Sequence, residues 1–116
     1  MTVQRILIVE DEPLIAMMLE DFVDLLGHTT AGTADTVAAA IELIEAGGVD
    51  AAILDVNLRG GEKSLPVAAV LVERRIPFVF ATGGGDDSVD ALYRDHPRLL
   101  KPFTMESVER ALAAIG

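Results

Sequence analysis

The runs RILIV (5–9), AAILDV (51–56) and FVFAT (78–82) are apolar at nearly every position. A strand wetted on one side alternates apolar and polar residues, so a run apolar throughout must be covered on both faces. Helical patterns lie between these runs. Residues 13–26 place apolar side chains at 14, 15, 18, 22, 25 and 26, with Pro13 suited to a first turn and Gly27 to the position past the end. TTAGTA (29–34) reads as a weaker strand, and 35–46 as a helix stopped by Gly47 and Gly48. A helix from about Ser64 to Arg75 tolerates Pro66 in its first turn. SVDALYRDH (88–96) reads as a short helix, RLL (98–100) as a brief strand, and 104–115 as a last helix with Met105, Val108, Leu112 and Ile115 on one stripe. Five β-α units in a row predict an α/β fold. Right-handed crossovers and small size favour a doubly wound, five-stranded parallel sheet in the flavodoxin-like order 2-1-3-4-5.

A chain of 116 residues is expected to form one domain. Its aromatic content of 4% leaves little to stack a base or a flavin, and with no cysteine it has neither disulfides nor thiolate metal sites. The net charge of −10 repels phosphate backbones and anionic lipid, so neither nucleic acid nor membrane is an expected partner. No apolar stretch approaches a signal-peptide core or a membrane span, and a cytoplasmic location is expected.

In a doubly wound sheet, ligands sit outside the carboxyl ends of the strands. Those positions hold Glu10, Asp11 and Glu12 after the first strand and Asp55 at the end of the third. Thr82 ends the fourth strand and Lys101 follows the fifth. Taken singly, each has an ordinary reading: an acidic helix start, a turn residue, a solvent-facing strand end, a surface lysine. Together they fall on adjacent strands and converge on one crevice. Carboxylates a few ångströms apart repel, and oxygen-only ligands favour Mg²⁺ as the compensating cation. A dication, the Lys101 ammonium and the Thr82 hydroxyl around one carboxylate suit a transferring phosphoryl group, with Asp55 the candidate nucleophile.

The ordered motifs ILIVEDEP, AAILDVNL, FVFATG and LLKPF resemble the receiver domain of two-component response regulators across essentially the whole chain. The resemblance implies that Asp55 accepts a phosphoryl group from a sensor histidine kinase. It implies Mg²⁺ held by Asp11, Asp55 and the Asn57 carbonyl, with Glu10 acting largely through water. Lys101 and Thr82 would hold the phosphoryl oxygens, and the Lys101–Pro102 bond would be cis. Such a domain is not an enzyme in the ordinary sense; it assists only its own phosphorylation and dephosphorylation. Its expected partners are the kinase and a downstream protein or phosphotransfer partner, with the domain a monomer or weak homodimer. Residues 1–116 are expected to be a single receiver domain with no effector domain.

Two features depart from the usual receiver pattern. Arg98 stands where receivers carry an aromatic switch residue, and NLRGGEK replaces the Met-Pro segment that commonly follows the phosphorylated aspartate. PFVFATGG instead resembles a receiver subset with a Pro-Phe-x-Phe-Ala-Thr-Gly-Gly signature, often partnered with HWE-type kinases. The three glycines 83–85 carry a large ordering cost. Residues 83–96 are therefore expected to move without phosphate, order with it and take over as the switch.

Alternative readings differ in chemistry. A haloacid-dehalogenase-like aspartyl phosphatase would need Asp-x-Asp-x-Thr after its first strand, where this chain has EDEP. A pseudo-receiver would bind partners without phosphorylation, and a flavodoxin-like carrier would need phosphate loops and flanking aromatics.

Overall fold

The computed structural model describes residues 4–56, 58, 62–82, 98–100 and 103–115, with Arg98 and Leu100 described by backbone only. The elements run β1 (Arg5–Val9), α1 (Pro13–Leu25), β2 (Thr29–Ala34), α2 (Val37–Ala46), β3 (Ala51–Asp55), α3 (Leu65–Glu73), β4 (Phe78–Thr82), β5 (Arg98–Leu100) and α4 (Met105–Ile115). The sheet has five strands in the order β2-β1-β3-β4-β5, and every pairing is parallel. The α/β class and the strand order match the sequence reading. The helix expected at 88–96 and the loop before it lie outside the described residues.

All five residues of both β3 and β4 are buried. Successive side chains of a strand point to opposite faces, so these strands feed two cores. Leu7, Val9, Ala52, Leu54, Phe78 and Phe80 face Ala40 and Ile44 of α2 and Val67, Ala68 and Leu71 of α3. Ile6, Ile8, Ala51, Ile53, Val79 and Ala81 face Leu19 and Val23 of α1 and Val108 and Leu112 of α4. A continuous apolar run is the sequence form of a strand between two helical layers. The Phe78 and Phe80 rings meet edge to face, with centroids 5.4 Å apart.

Helix ends differ from expectation by one or two residues. Thr36 caps α2: its Oγ1 accepts from the Ala39 N–H at 3.1 Å, so the helix starts at Val37 rather than at 35. α1 stops at Leu25 rather than 26, and β3 ends at Asp55 rather than at Val56. α3 covers 65–73 instead of 64–75, because Arg75 turns to φ 59 and ends the helical path. Thr104 and Ser107 cap α4 reciprocally: each backbone N–H donates to the other's hydroxyl, at 2.9 and 3.0 Å.

Candidate functional site

Strand register assembles the site. Val9 lies opposite Leu54 and Asp55 opposite Ala81, so the residue after β1 and the last residue of β3 leave the sheet side by side. Thr82 follows Ala81 and is opposite Leu100, the residue before Lys101 in the chain. Glu10, Asp55 and Thr82 are buried and Asp11 is partly buried. The Glu10 N–H donates to the Ala34 carbonyl at 2.9 Å, prolonging the β1–β2 pairing by one bond. Its Oε2 accepts from the Glu12 N–H at 3.2 Å, a bond local to the acidic segment. The Val56 N–H donates to the Ala81 carbonyl at 3.1 Å and holds the chain beyond Asp55 against β4.

Of the residues singled out from sequence, Glu10, Asp11, Asp55 and Thr82 all lie at this carboxyl edge. Glu12 is exposed and stands at the N-cap of α1. Asn57, Lys101 and the Lys101–Pro102 bond fall outside the described residues.

Glu10, Asp11 and Asp55 each offer a carboxylate oxygen within 4.8 Å of the other two. In an octahedral Mg²⁺ shell, with about 2.1 Å per bond, adjacent ligands stand roughly 3.0 Å apart and opposite ones roughly 4.2 Å, so these three oxygens would have to draw together to share one ion, and a water can take the place of any that does not. Beside the acids opens a crevice of about 300 Å³ lined by Glu10, Asp11, Pro13, Ala16, Thr33 and Asp35. An opening with the carboxylates of Glu10, Asp11 and Asp35 in its lining suits an ion that keeps several of its waters. Among the described residues, no helix is long and apolar enough to cross a membrane.

Two residues of this region were not singled out from sequence. Ser64 is fully buried, and its N–H donates to the Val56 carbonyl at 3.1 Å. The Glu62 carboxylate accepts from the Val37 N–H at 3.0 Å. Their partners lie 8 and 25 residues away, and no local pattern announces either contact.

A parallel sheet in this order, with three carboxylates at the ends of β1 and β3 and a threonine at the end of β4, defines an acid-edged, doubly wound α/β domain. The chain belongs to the response regulator receiver domain family, which it matches over residues 6–113. It is thus a two-component signalling domain rather than a classical enzyme. It is similar to SdrG from Sphingomonas melonis Fr1, with 67% identity, 99% of this chain and 98% of that one covered, and a TM-score of 0.90. The BeF3-activated conformation of SdrG from Pseudomonas melonis Fr1 is 68% identical, with 98% of each chain covered and a TM-score of 0.84. The phyllosphere-induced regulator PhyR of Methylorubrum extorquens is 34% identical over 113 residues, which are 94% of this chain and 42% of that protein. The anti-anti-sigma factor PhyR from Bartonella quintana is 28% identical, with 98% of this chain and 48% of that one covered and a TM-score of 0.80. The chain therefore spans less than half the length of either PhyR.

Proposed function

We propose that this receiver takes a phosphoryl group onto Asp55 from the phosphohistidine of a sensor histidine kinase, in a Mg²⁺-dependent reaction. The observation that carries the reading is the set of three carboxylates within 4.8 Å of one another, with Asp55 among them. An Asp55 carboxylate oxygen attacks the phosphorus, a P–O bond forms, and the P–N bond breaks with its electron pair passing to the imidazole nitrogen. Asp11, Asp55 and the Asn57 carbonyl would hold Mg²⁺, with Glu10 close by, and the ion would supply positive charge against the crowded carboxylates and the phosphoryl oxygens. The Thr82 hydroxyl donates to one phosphoryl oxygen and the Lys101 ammonium pairs with another. The same groups assist later hydrolysis of the acyl phosphate.

Residues 1–116 act as one receiver domain in this reading. The kinase is of the HWE type, in keeping with the PFVFATGG segment. Output passes to a protein partner or along a phosphorelay. The anti-anti-sigma designation of the Bartonella PhyR supports an anti-sigma factor as the class of downstream protein.

Incubation with acetyl phosphate and Mg²⁺ is expected to add one phosphoryl mass. EDTA or Asp55→Asn should prevent it. Equal labelling of the Asp55→Asn protein would refute the assignment.

A further inference from the structure

The chain after Asp55 is held by contacts that phosphoryl transfer does not itself use. Val56 is fixed on both sides: its N–H donates to the Ala81 carbonyl and its carbonyl accepts from the Ser64 N–H, each at 3.1 Å. The Ser64 hydroxyl adds a weaker bond to the same carbonyl at 3.4 Å. The Leu58 N–H donates to the Glu62 carbonyl at 2.7 Å. The Glu62 side chain reaches out of this connection, and its Oε1 accepts from the Val37 N–H at 3.0 Å.

Val37 is the first residue of α2, and its N–H is one of the donors a helix cannot satisfy internally. Thr36 Oγ1 takes another, the Ala39 N–H. A carboxylate is also favoured there by the positive end of the helix dipole. α2 in turn continues from Thr33 and Asp35, which line the crevice shared with Glu10 and Asp11. One side chain therefore ties the segment that follows the phosphoacceptor to the loop that borders the other acids. In sequence, Glu62 comes directly after Gly60 and Gly61, the residue type with the widest backbone freedom.

We infer that Glu62 is a positioning residue for the phosphoryl-accepting site, bracing the chain after Asp55 against the N-terminus of α2. The inference rests on the Mg²⁺-dependent reading of Asp55. Mg²⁺ tolerates little departure from octahedral geometry, so backbone drift next to Asp55 weakens binding even when every ligand is present. Glu62 touches neither the metal nor the phosphoryl group; it acts through Leu58 and Val56.

The test uses the full chain as wild type, Glu62→Ala, Glu62→Gln and Thr36→Ala. Each is titrated with Mg²⁺ alone and with Mg²⁺ plus beryllofluoride, followed by amide chemical shifts, and melted in parallel. Glu62→Ala is expected to weaken Mg²⁺ binding about fivefold, the size of one hydrogen bond. Glu62→Gln keeps an acceptor oxygen and should stay within about twofold of wild type. Thr36→Ala also loosens the start of α2 and lowers the melting temperature, yet should bind Mg²⁺ as wild type does. Wild-type affinity in Glu62→Ala would overturn the inference. So would equal weakening in Thr36→Ala, a sign of general loosening, or equal weakening in Glu62→Gln, a sign of charge acting at a distance. If wild type neither binds Mg²⁺ nor takes a phosphoryl group, the reading of Asp55 fails first and the bracing role falls with it.

Discussion

Asp11 and Glu12 are adjacent and carry the same charge, but the backbone gives them different tasks. Asp11 is partly buried and its carboxylate joins those of Glu10 and Asp55. Glu12 is exposed at the N-cap of α1, in an extended conformation, and its side chain makes no capping bond. Asp11→Ala is therefore expected to abolish measurable Mg²⁺ binding by calorimetric titration. Glu12→Ala removes only a solvated charge and should change affinity by about threefold or less. A larger loss from Glu12→Ala would show that the acidic segment is aligned one residue off. These acids are legible in the sequence because topology alone brings the carboxyl ends of β1 and β3 together. Glu62 and Ser64 are not. A glutamate in a glycine-containing loop reads as a solvated charge, and only the folded chain brings it to a helix start 25 residues earlier.

At the scale of elements, α1 and α3 end in the same way with different residues. The His28 N–H reaches the Val23 carbonyl and the Gly27 N–H the Asp24 carbonyl; likewise Ile76 reaches Leu71 and Arg75 reaches Val72. Both are Schellman closures, which place one residue in the left-handed region. That residue is Gly27 at φ 90 in the first and Arg75 at φ 59 in the second. The stop at Gly27 is readable from sequence because glycine announces it. The stop near Arg75 is only half readable: Pro77 bars the helix from continuing, but arginine is a good helix former and does not mark itself as the left-handed residue. β1, β3 and β4 are legible for a firmer reason: burial on both faces leaves an apolar run that no amphipathic helix matches, whereas β2, only partly buried, leaves a weaker signal. Arg75→Gly is expected to stabilise the fold by up to about 1 kcal/mol by relieving the left-handed penalty. That corresponds to roughly 4 °C in melting temperature for a chain of this size. Gly27→Ala should lower it by a similar amount, although a Cβ there meets nothing within 4 Å. Thermal melts of the two variants decide it: a destabilised Arg75→Gly would mean that the arginine side chain contributes more than its backbone strain removes.

For the molecule as a whole, two kinds of negative charge act on stability and they respond to cations differently. The net charge of −10 is spread over the chain, and any salt screens it. The three site carboxylates are brought within 4.8 Å of one another only in the folded state. A dication that binds them binds the native protein and not the unfolded one. By mass action its stabilisation is about 2.7 kcal/mol at a hundredfold excess over the dissociation constant. For a domain this long, that is roughly 10 °C in melting temperature. NaCl at matched ionic strength should recover only the smaller, screening part of that rise. In Asp11→Ala the extra increment from Mg²⁺ should vanish while the NaCl response stays, because the diffuse charge is nearly unchanged and the site is not. Glu12→Ala removes the same unit of charge and should keep the full increment. The comparison separates site binding from charge screening in one set of melts. Equal responses to Mg²⁺ and NaCl in the wild type, or a Mg²⁺ increment that survives Asp11→Ala, would mean that the ion acts on the whole acidic surface rather than at the ends of β1 and β3.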